Sequence, residues 1–381
     1  MKGFRISDKN RSEIPDNILI ERALLKEKLD ILKANSPQIL KKYINSLYRN
    51  ESARSVNIKT AIKYVREVQA FLASMIESGI VKKSSIMDID ASDIEMIYAD
   101  DIQEYIDSCG SYVQHTQNGD KVIFSNSSRT LSLKQTCIKS FFTWLYKNDY
   151  VEKNETEKLR KILAGDSPSV LTLSDEEVNA VLELAKAGEC TAYGRHICLS
   201  KKELENFEAT KLRDIAILSL FIYHGLRISE LHHLNISSLN FEKGYFEIFR
   251  KRNKRKMMYF SRQAVSALRE YMQNERATSN IKPGSEDALF LSSSRNGKSP
   301  ARLSIEQIRK LVKKYACRVS LNPRISPHKL RATFATKSLE ITGNIYTVQQ
   351  ILDHSSTATT QKYLKDNERA KREVSELISY E

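Results

Sequence analysis

Two short stretches near the end of the chain hold the residue types best suited to chemistry on an anion. Ser326-Pro327-His328-Lys329-Leu330-Arg331 places two basic groups three residues apart behind a helix start. Leu352-Asp353-His354-Ser355-Ser356 is followed by Tyr363, nine positions beyond His354. Ser326 suits an N-cap and Pro327 the first helical position, so the spacing predicts His328 and Arg331 on one face of one helix. Such a face could hold a phosphate oxygen while a nearby tyrosine hydroxyl attacks the phosphorus. A basic helix that touches solvent or a DNA backbone without chemistry is the plain alternative.

A second cationic feature lies earlier. Tyr245, Glu247 and Phe249 alternate with Phe246 and Ile248, and Met257 to Phe260 form another extended run. Between them, Arg250-Lys251-Arg252-Asn253-Lys254-Arg255-Lys256 carries six positive charges in seven positions. The pattern predicts a hairpin with a cationic tip, and like charges packed this densely favour an anionic partner over a merely solvated turn. A helix over 305–318 adds Arg309, Lys310, Lys313, Lys314 and Arg318. The whole chain has a formal charge of +14, which again favours a polyanion.

These residues need elements to hold them, and 381 residues are enough for two ordinary cores. Residues 1–19 read as a polar N-terminal extension. Apolar positions then recur at helical spacing from Ile20 to Leu47, with a break at Ser36-Pro37, and from Ile58 to Met75. A short helix is expected over 92–106, a loop or small hairpin over 108–130, and an aromatic helix through Leu133, Phe141, Phe142 and Leu145. The segment 20–150 is thus a helical domain, and 151–170, with Gly165, Ser167, Pro168 and Ser169, is a candidate linker. A second domain opens at the capping pair Ser174 and Glu177. It continues through a polar, irregular insertion at 188–210, a helix over 211–223, Gly225, the hairpin, a helix over 262–275, a short strand at Leu289-Phe290-Leu291, and the helices that carry the basic groups. Residues 366–381 read as one last charged helix. Five cysteines without CxxC spacing read as reduced thiols. Cys190, His196 and Cys198 lack a fourth partner at zinc spacing, so no metal is expected. No run reaches membrane-spanning length, so the chain is expected to stay where it is made, in the cytoplasm.

Arg227 in Gly-Leu-Arg-Ile-Ser-Glu-Leu, Lys251 in the hairpin, His328-Lys329-Leu330-Arg331, His354 and Tyr363 in Thr-Thr-Gln-Lys-Tyr together resemble the tyrosine recombinase (phage integrase) family. The Xer-type chromosome-dimer resolvases and mobile-element integrases are nearest in pattern. The likeness is strong over 171–365 and weaker over 20–150. It implies a mainly α, α+β chain: a helical core-binding (SAM-like) domain over 20–150, then a mixed catalytic domain with a small β-sheet over 171–365. The 366–381 helix would dock on a neighbouring protomer. Two positions depart from the family pattern: Asp353 stands where a glycine is usual, and Ala332 where a histidine is frequent.

On this resemblance Arg227 and Arg331 hold the nonbridging oxygens of a phosphodiester, which suits their planar, permanently charged forks. Tyr363 is the nucleophile, His328 accepts or positions its proton, and His354 supports the transition state. Lys251 protonates the departing 5′ oxygen, with Lys254 as its nearest competitor. The product is a 3′-phosphotyrosine link, and neither cofactor nor metal is called for. Arg250, Arg252, Lys254, Arg255, Lys256, Arg309 and Lys313 are expected to contact phosphates. The partners implied are double-stranded DNA with an inverted-repeat core site, three further copies of the chain in a synaptic homotetramer, and accessory proteins. Such a chain works on the nucleoid. A type IB topoisomerase-like enzyme and a non-catalytic DNA-binding protein are the competing readings.

Overall fold

The computed structural model describes residues 14–48, 57–115, 121–162, 171–250, 255–293, 298–322 and 324–352. Lys251, Arg252, Lys254, His354, Tyr363 and the 366–381 segment lie outside the described residues. The chain divides into two compact units at Ser167/Pro168.

The first unit is built from helices. They are α1 (Asp16–Ala34), α2 (Gln38–Leu47), α3 (Ile58–Glu77), α4 (Ala91–Glu95), α5 (Ala99–Ser108) and α6 (Ser128–Lys147), with a hairpin of β1 (Ser111–His115) and β2 (Lys121–Ser125) between the last two. Pro37 ends the first helical run, because it cannot donate to the preceding turn. Gln69 of α3 closes the gap, donating from Nε2 to Asn35 O and Ser36 Oγ, each at 3.0 Å. The expected helix over 92–106 is two helices. Met96-Ile97-Tyr98 interrupts it, and Asp101 caps the second piece by accepting the Tyr98 N–H at 2.8 Å. Val65, Val68, Phe71, Leu72, Phe141, Phe142 and Leu145 fill the core. Tyr43 joins them edge-on to Phe141 and donates its hydroxyl to Ser140.

The second unit begins with α7 (Asp175–Ala187), whose N-terminus carries the reciprocal Ser174 and Glu177 cap. The 188–210 insertion, expected to be irregular, is ordered: β3 (Glu189–Ala192) pairs antiparallel with β4 (Arg195–Cys198), and α8 (Lys201–Leu204) follows. Tyr193 and Gly194 both have positive φ, 51° and 69°, which suits a two-residue turn between right-twisted strands. Cys190, Ala192 and Ile197 turn inward, an alternation hidden in a polar composition.

After α9 (Lys211–His224) and α10 (Ile228–His232), a three-stranded antiparallel sheet runs β5 (Leu239–Asn240), β6 (Tyr245–Phe249), β7 (Arg255–Tyr259). The remaining elements are α11 (Arg262–Asn274), α12 (Ile305–Val319), α13 (Pro327–Thr342) and α14 (Ile345–Leu352). Leu289-Phe290-Leu291 is buried but makes only isolated bridges, Asn235 to Ala288 and Leu291 to Arg302, so the expected strand does not form.

Buried charge ties this unit together. Asp214 on α9 accepts from Arg213 at 2.8 Å and from the Tyr315 hydroxyl of α12 at 2.9 Å. Glu275, just past α11, caps α9 by accepting the Leu212 N–H at 2.7 Å. Burial pushes the Glu275 pKa up to about 7, against the pull of those N–H groups and Arg213. Folding thus raises the pKa, and the stability linked to it is present below the usual value near 4.5 and lost as pH rises through about 7. Glu275→Gln keeps an acceptor without the charge. Its unfolding midpoint should therefore gain on the wild type by a few degrees between pH 5 and pH 8, read by thermal denaturation. A difference that stays constant with pH would refute the assignment.

Candidate active site

Gly225 ends α9 in the left-handed region at φ 58°, which lets the chain turn at once into Leu226 and Arg227. Its carbonyl oxygen accepts from Arg331 Nη1 at 2.6 Å. Arg227 is the N-cap of α10 and Glu230 sits three residues on, where a carboxylate can reach back to the cap N–H. It does so at 2.8 Å through Oε2, while Oε1 accepts from Arg227 Nη1 at 2.7 Å.

Two more arginines close on the same carboxylate. Arg250 follows β6 and brings Nε to 3.5 Å from Glu230 Oε1, and Arg331 on α13 brings Nη1 to 3.7 Å from Oε2. Among the described residues three guanidiniums thus converge on one buried glutamate. Their exposures differ: the Arg227 side chain is 35% exposed, against 3% for Arg250 and Arg331. Arg227 presents positive charge at the surface while the other two back it. His328 is exposed on the first turn of α13, one turn before Arg331. Ser326 holds the N-cap position but its side chain makes no cap bond; Pro327 at the first turn supplies the start signal.

Residues 350–352 of α14 are held from two directions. Arg331 Nη2 donates to Leu352 O at 2.6 Å, and Arg250 Nη2 to Ile351 O at 3.3 Å. Lys256 of β7 donates to Gln350 O, and to Ile351 O at 3.2 Å. His224, beside Gly225, is packed edge-on to Phe246 and accepts the Ser261 N–H at 3.1 Å through Nε2. Burial pushes its pKa down to about 4, so the imidazole is neutral near pH 7 and serves as an acceptor between α9 and the start of α11.

The residues expected at DNA phosphates are placed differently from one another. Arg255 is half exposed, with Nε 3.3 Å from Glu247. Arg309, beside Glu306, and Lys313 are exposed on α12. Arg250 is buried, and Lys256 is engaged with α14; both are turned toward the protein, contrary to the even cationic surface that the charge run suggests. Strand parity is the reason: Phe246, Ile248 and Arg250 are buried in alternation, and Lys256 pairs with Ile248 across the hairpin. On α12, Lys314 lies against Asp214 at 3.6 Å, and Arg318 donates to Cys198 O and Glu203 at 2.7 and 2.9 Å. Only part of that helix's basic set therefore faces solvent. Glu230, which no reading of charge picked out, was discoverable from its place three residues after the arginine cap.

Among the described residues no group of three or more His, Cys, Asp or Glu side chains could hold a metal ion, and no helix is long and apolar enough to cross a membrane. The profile of the phage integrase family matches residues 199–369. The chain is 28% identical over 360 residues to the tyrosine recombinase XerS of Streptococcus gordonii and 29% over 364 to that of Streptococcus sanguinis. Each match covers 90% of this chain and 96% of the relative. Among solved structures, the Tn1549 transposon integrase in complex with transposon right end DNA is similar at a TM-score of 0.54 and 18% identity, covering 88% of this chain and 98% of that one. The XerH site-specific recombinase bound to a palindromic difH substrate gives 0.53 and 17%, over 92% and 96%. Residues 199–369 thus carry the pattern of the phage integrase family, and the chain is similar almost end to end to the Xer-like tyrosine recombinases.

Proposed function

We propose that the chain is a site-specific recombinase acting on double-stranded DNA with an inverted-repeat core site, four protomers exchanging strands between two duplexes. Cleavage and rejoining through a tyrosine is the chemistry of its class; the assignment of residues to it is as follows. The Tyr363 oxygen forms a bond to the scissile phosphorus, and its proton passes to His328. The bond from phosphorus to the 5′ oxygen breaks, and Lys251 gives that oxygen a proton. Arg227 and Arg331, with His354, offset the charge that gathers on the nonbridging oxygens. A 5′ hydroxyl from the partner duplex then attacks the 3′-phosphotyrosine and releases Tyr363. The number of phosphoester bonds is unchanged, so no ATP is consumed.

The observation that carries this reading is the set of three arginines gathered on Glu230, with Arg227 reaching the surface. A fixed, preorganised cation cluster is what a phosphoryl transfer without covalent help from a cofactor requires. A place on the nucleoid in the cytoplasm goes with this reading, in chromosome partition or in the movement of a mobile element. In family terms residues 366–381 would link each protomer to the next, and accessory proteins would join the complex.

The test begins with nicked fragments of the host chromosome incubated with the full chain, from which detergent-stable protein–DNA adducts are recovered and sequenced. The wild type should enrich one site flanked by inverted repeats, and Tyr363→Phe should yield no adduct. An adduct with Tyr363→Phe removes the nucleophile assignment. With two duplexes carrying the recovered site, recombinant products are expected; nicking and resealing of single duplexes alone would favour the topoisomerase reading. Lys251→Ala should abolish cleavage where Lys254→Ala does not, and the reverse would move the general acid.

A further inference from the structure

We propose that Arg250 and Lys256 are positioning residues for strand cleavage: by holding the carbonyls of Gln350 and Ile351 they fix in place α14, the helix that precedes His354 and Tyr363 in the chain. The inference rests on the reading of Tyr363 as nucleophile and adds two residues that otherwise belong to a DNA-facing charge run.

Carbonyls toward the C-terminal side of a helix carry partial negative charge that cations offset. In α14 they are met by cations from outside: Gln350 O by Lys256, Ile351 O by Lys256 and Arg250, Leu352 O by Arg331. Two of the three cations flank the hairpin tip, and the third is a proposed phosphate ligand. Arg250 Nε also lies within ion-pair range of the buried Glu230, at 3.5 Å, so the grip on α14 adjoins the arginine cluster. Use of Arg250 as a phosphate contact would require its side chain, 3% exposed, to leave both partners. Lys251 directly follows Arg250 in sequence, and Asp353-His354 directly follows Leu352. A single clasp therefore joins the element that carries the proposed general acid to the one that leads to the proposed nucleophile. A misplacement of about 1 Å at such a junction costs on the order of a hundredfold in rate.

The experiment uses the full chain and the duplex recovered by adduct capture, with a suicide nick that makes cleavage irreversible. Lys256→Met should lower the single-turnover rate of adduct formation at saturating protein by roughly 10- to 100-fold. Lys256→Arg, which keeps a cation long enough to reach the same carbonyls, should restore most of the rate. Duplex affinity and its salt dependence should be unchanged in both. A second substrate carries sulfur in place of the departing 5′ oxygen, a leaving group that needs no proton. It should rescue Lys251→Ala and leave the Lys256→Met defect in place. Rescue of Lys256→Met by sulfur would assign Lys256 to the leaving-group side and overturn the proposal. So would a normal rate at saturation with weaker binding and a salt slope reduced by about 0.9, which marks a lost phosphate contact. Absence of any adduct from the wild-type chain removes the underlying reading, whereas equal rates for wild type and Lys256→Met remove only this inference.

Discussion

Glu230→Ala should yield a chain that forms no covalent DNA adduct and unfolds roughly 6–20 °C below the wild type. Glu230 is buried, with a side chain 3% exposed, and its oxygens lie 2.7, 3.5 and 3.7 Å from guanidinium nitrogens of Arg227, Arg250 and Arg331. Removing one side of a buried ion pair costs about 3–5 kcal/mol, because the remaining charge keeps its desolvation penalty and loses its partner. In a unit of this size each kcal/mol moves the midpoint by about 2–4 °C. The same deletion frees the Arg227 N–H at the start of α10 and releases Arg227 Nη1, so the surface arginine loses its aim as well. Glu230→Gln separates the two effects. It can still accept the cap N–H but carries no charge, so it should recover part of the stability and little of the cleavage. Calorimetry and adduct capture, run on the same preparations, read both quantities. Full cleavage by a folded Glu230→Ala chain would show that the arginines hold their places without it.

The next largest loss is expected from Gly225→Ala. A Cβ built at Gly225 falls 2.4 Å from Phe334 Cδ1 and 2.9 Å from its Cγ, and the backbone there has φ 58°. The left-handed conformation costs an alanine about 1–2 kcal/mol, and forcing a methyl into packed side chains adds about 1–3 kcal/mol. Gly343 supplies the control, since it has φ 59° and nothing within 4 Å of its built Cβ. Gly343→Ala should show the backbone cost alone, and the difference between the two variants isolates the collision. Phe334→Leu in the Gly225→Ala background should return part of the loss, a coupling that unfolding measurements on the four-member cycle would detect. Additive effects would mean that Phe334 moves aside at no cost. Because the Gly225 carbonyl also accepts from Arg331, cleavage should fall further than stability.

Much of this was legible in the chain itself. The period of apolar residues gave the long helices, the stop at Ser36-Pro37 and the two strands that flank the basic run. Arg227 and Arg331 were brought together by motif, and they do share Glu230. What escaped were features decided by which way a side chain turns. A run of six cations predicts a charged tip but is silent about direction. Parity along β6 was the available signal, because Phe246 and Ile248 fix the buried face on which Arg250 must also fall. The 188–210 hairpin was missed because the small inward residues Cys190 and Ala192 make a weak alternation. Leu289 to Leu291 misled in the opposite sense: three buried apolar residues looked like a strand, but the Arg213 and Arg276 side chains take up carbonyls there that a ladder would have used.

The contact of Arg318 with β4 and α8 has a bearing on how such enzymes can be recombined by design. Arg318 reaches Cys198 O and Glu203, and neither partner would exist in a chain shortened at the insertion. A chimera that trims this segment leaves a stranded cation on the inner side of the helix whose outer side displays Arg309 and Lys313. Helix and insertion therefore constitute one transferable module, and anyone retargeting the enzyme by swapping the helix would have to move both.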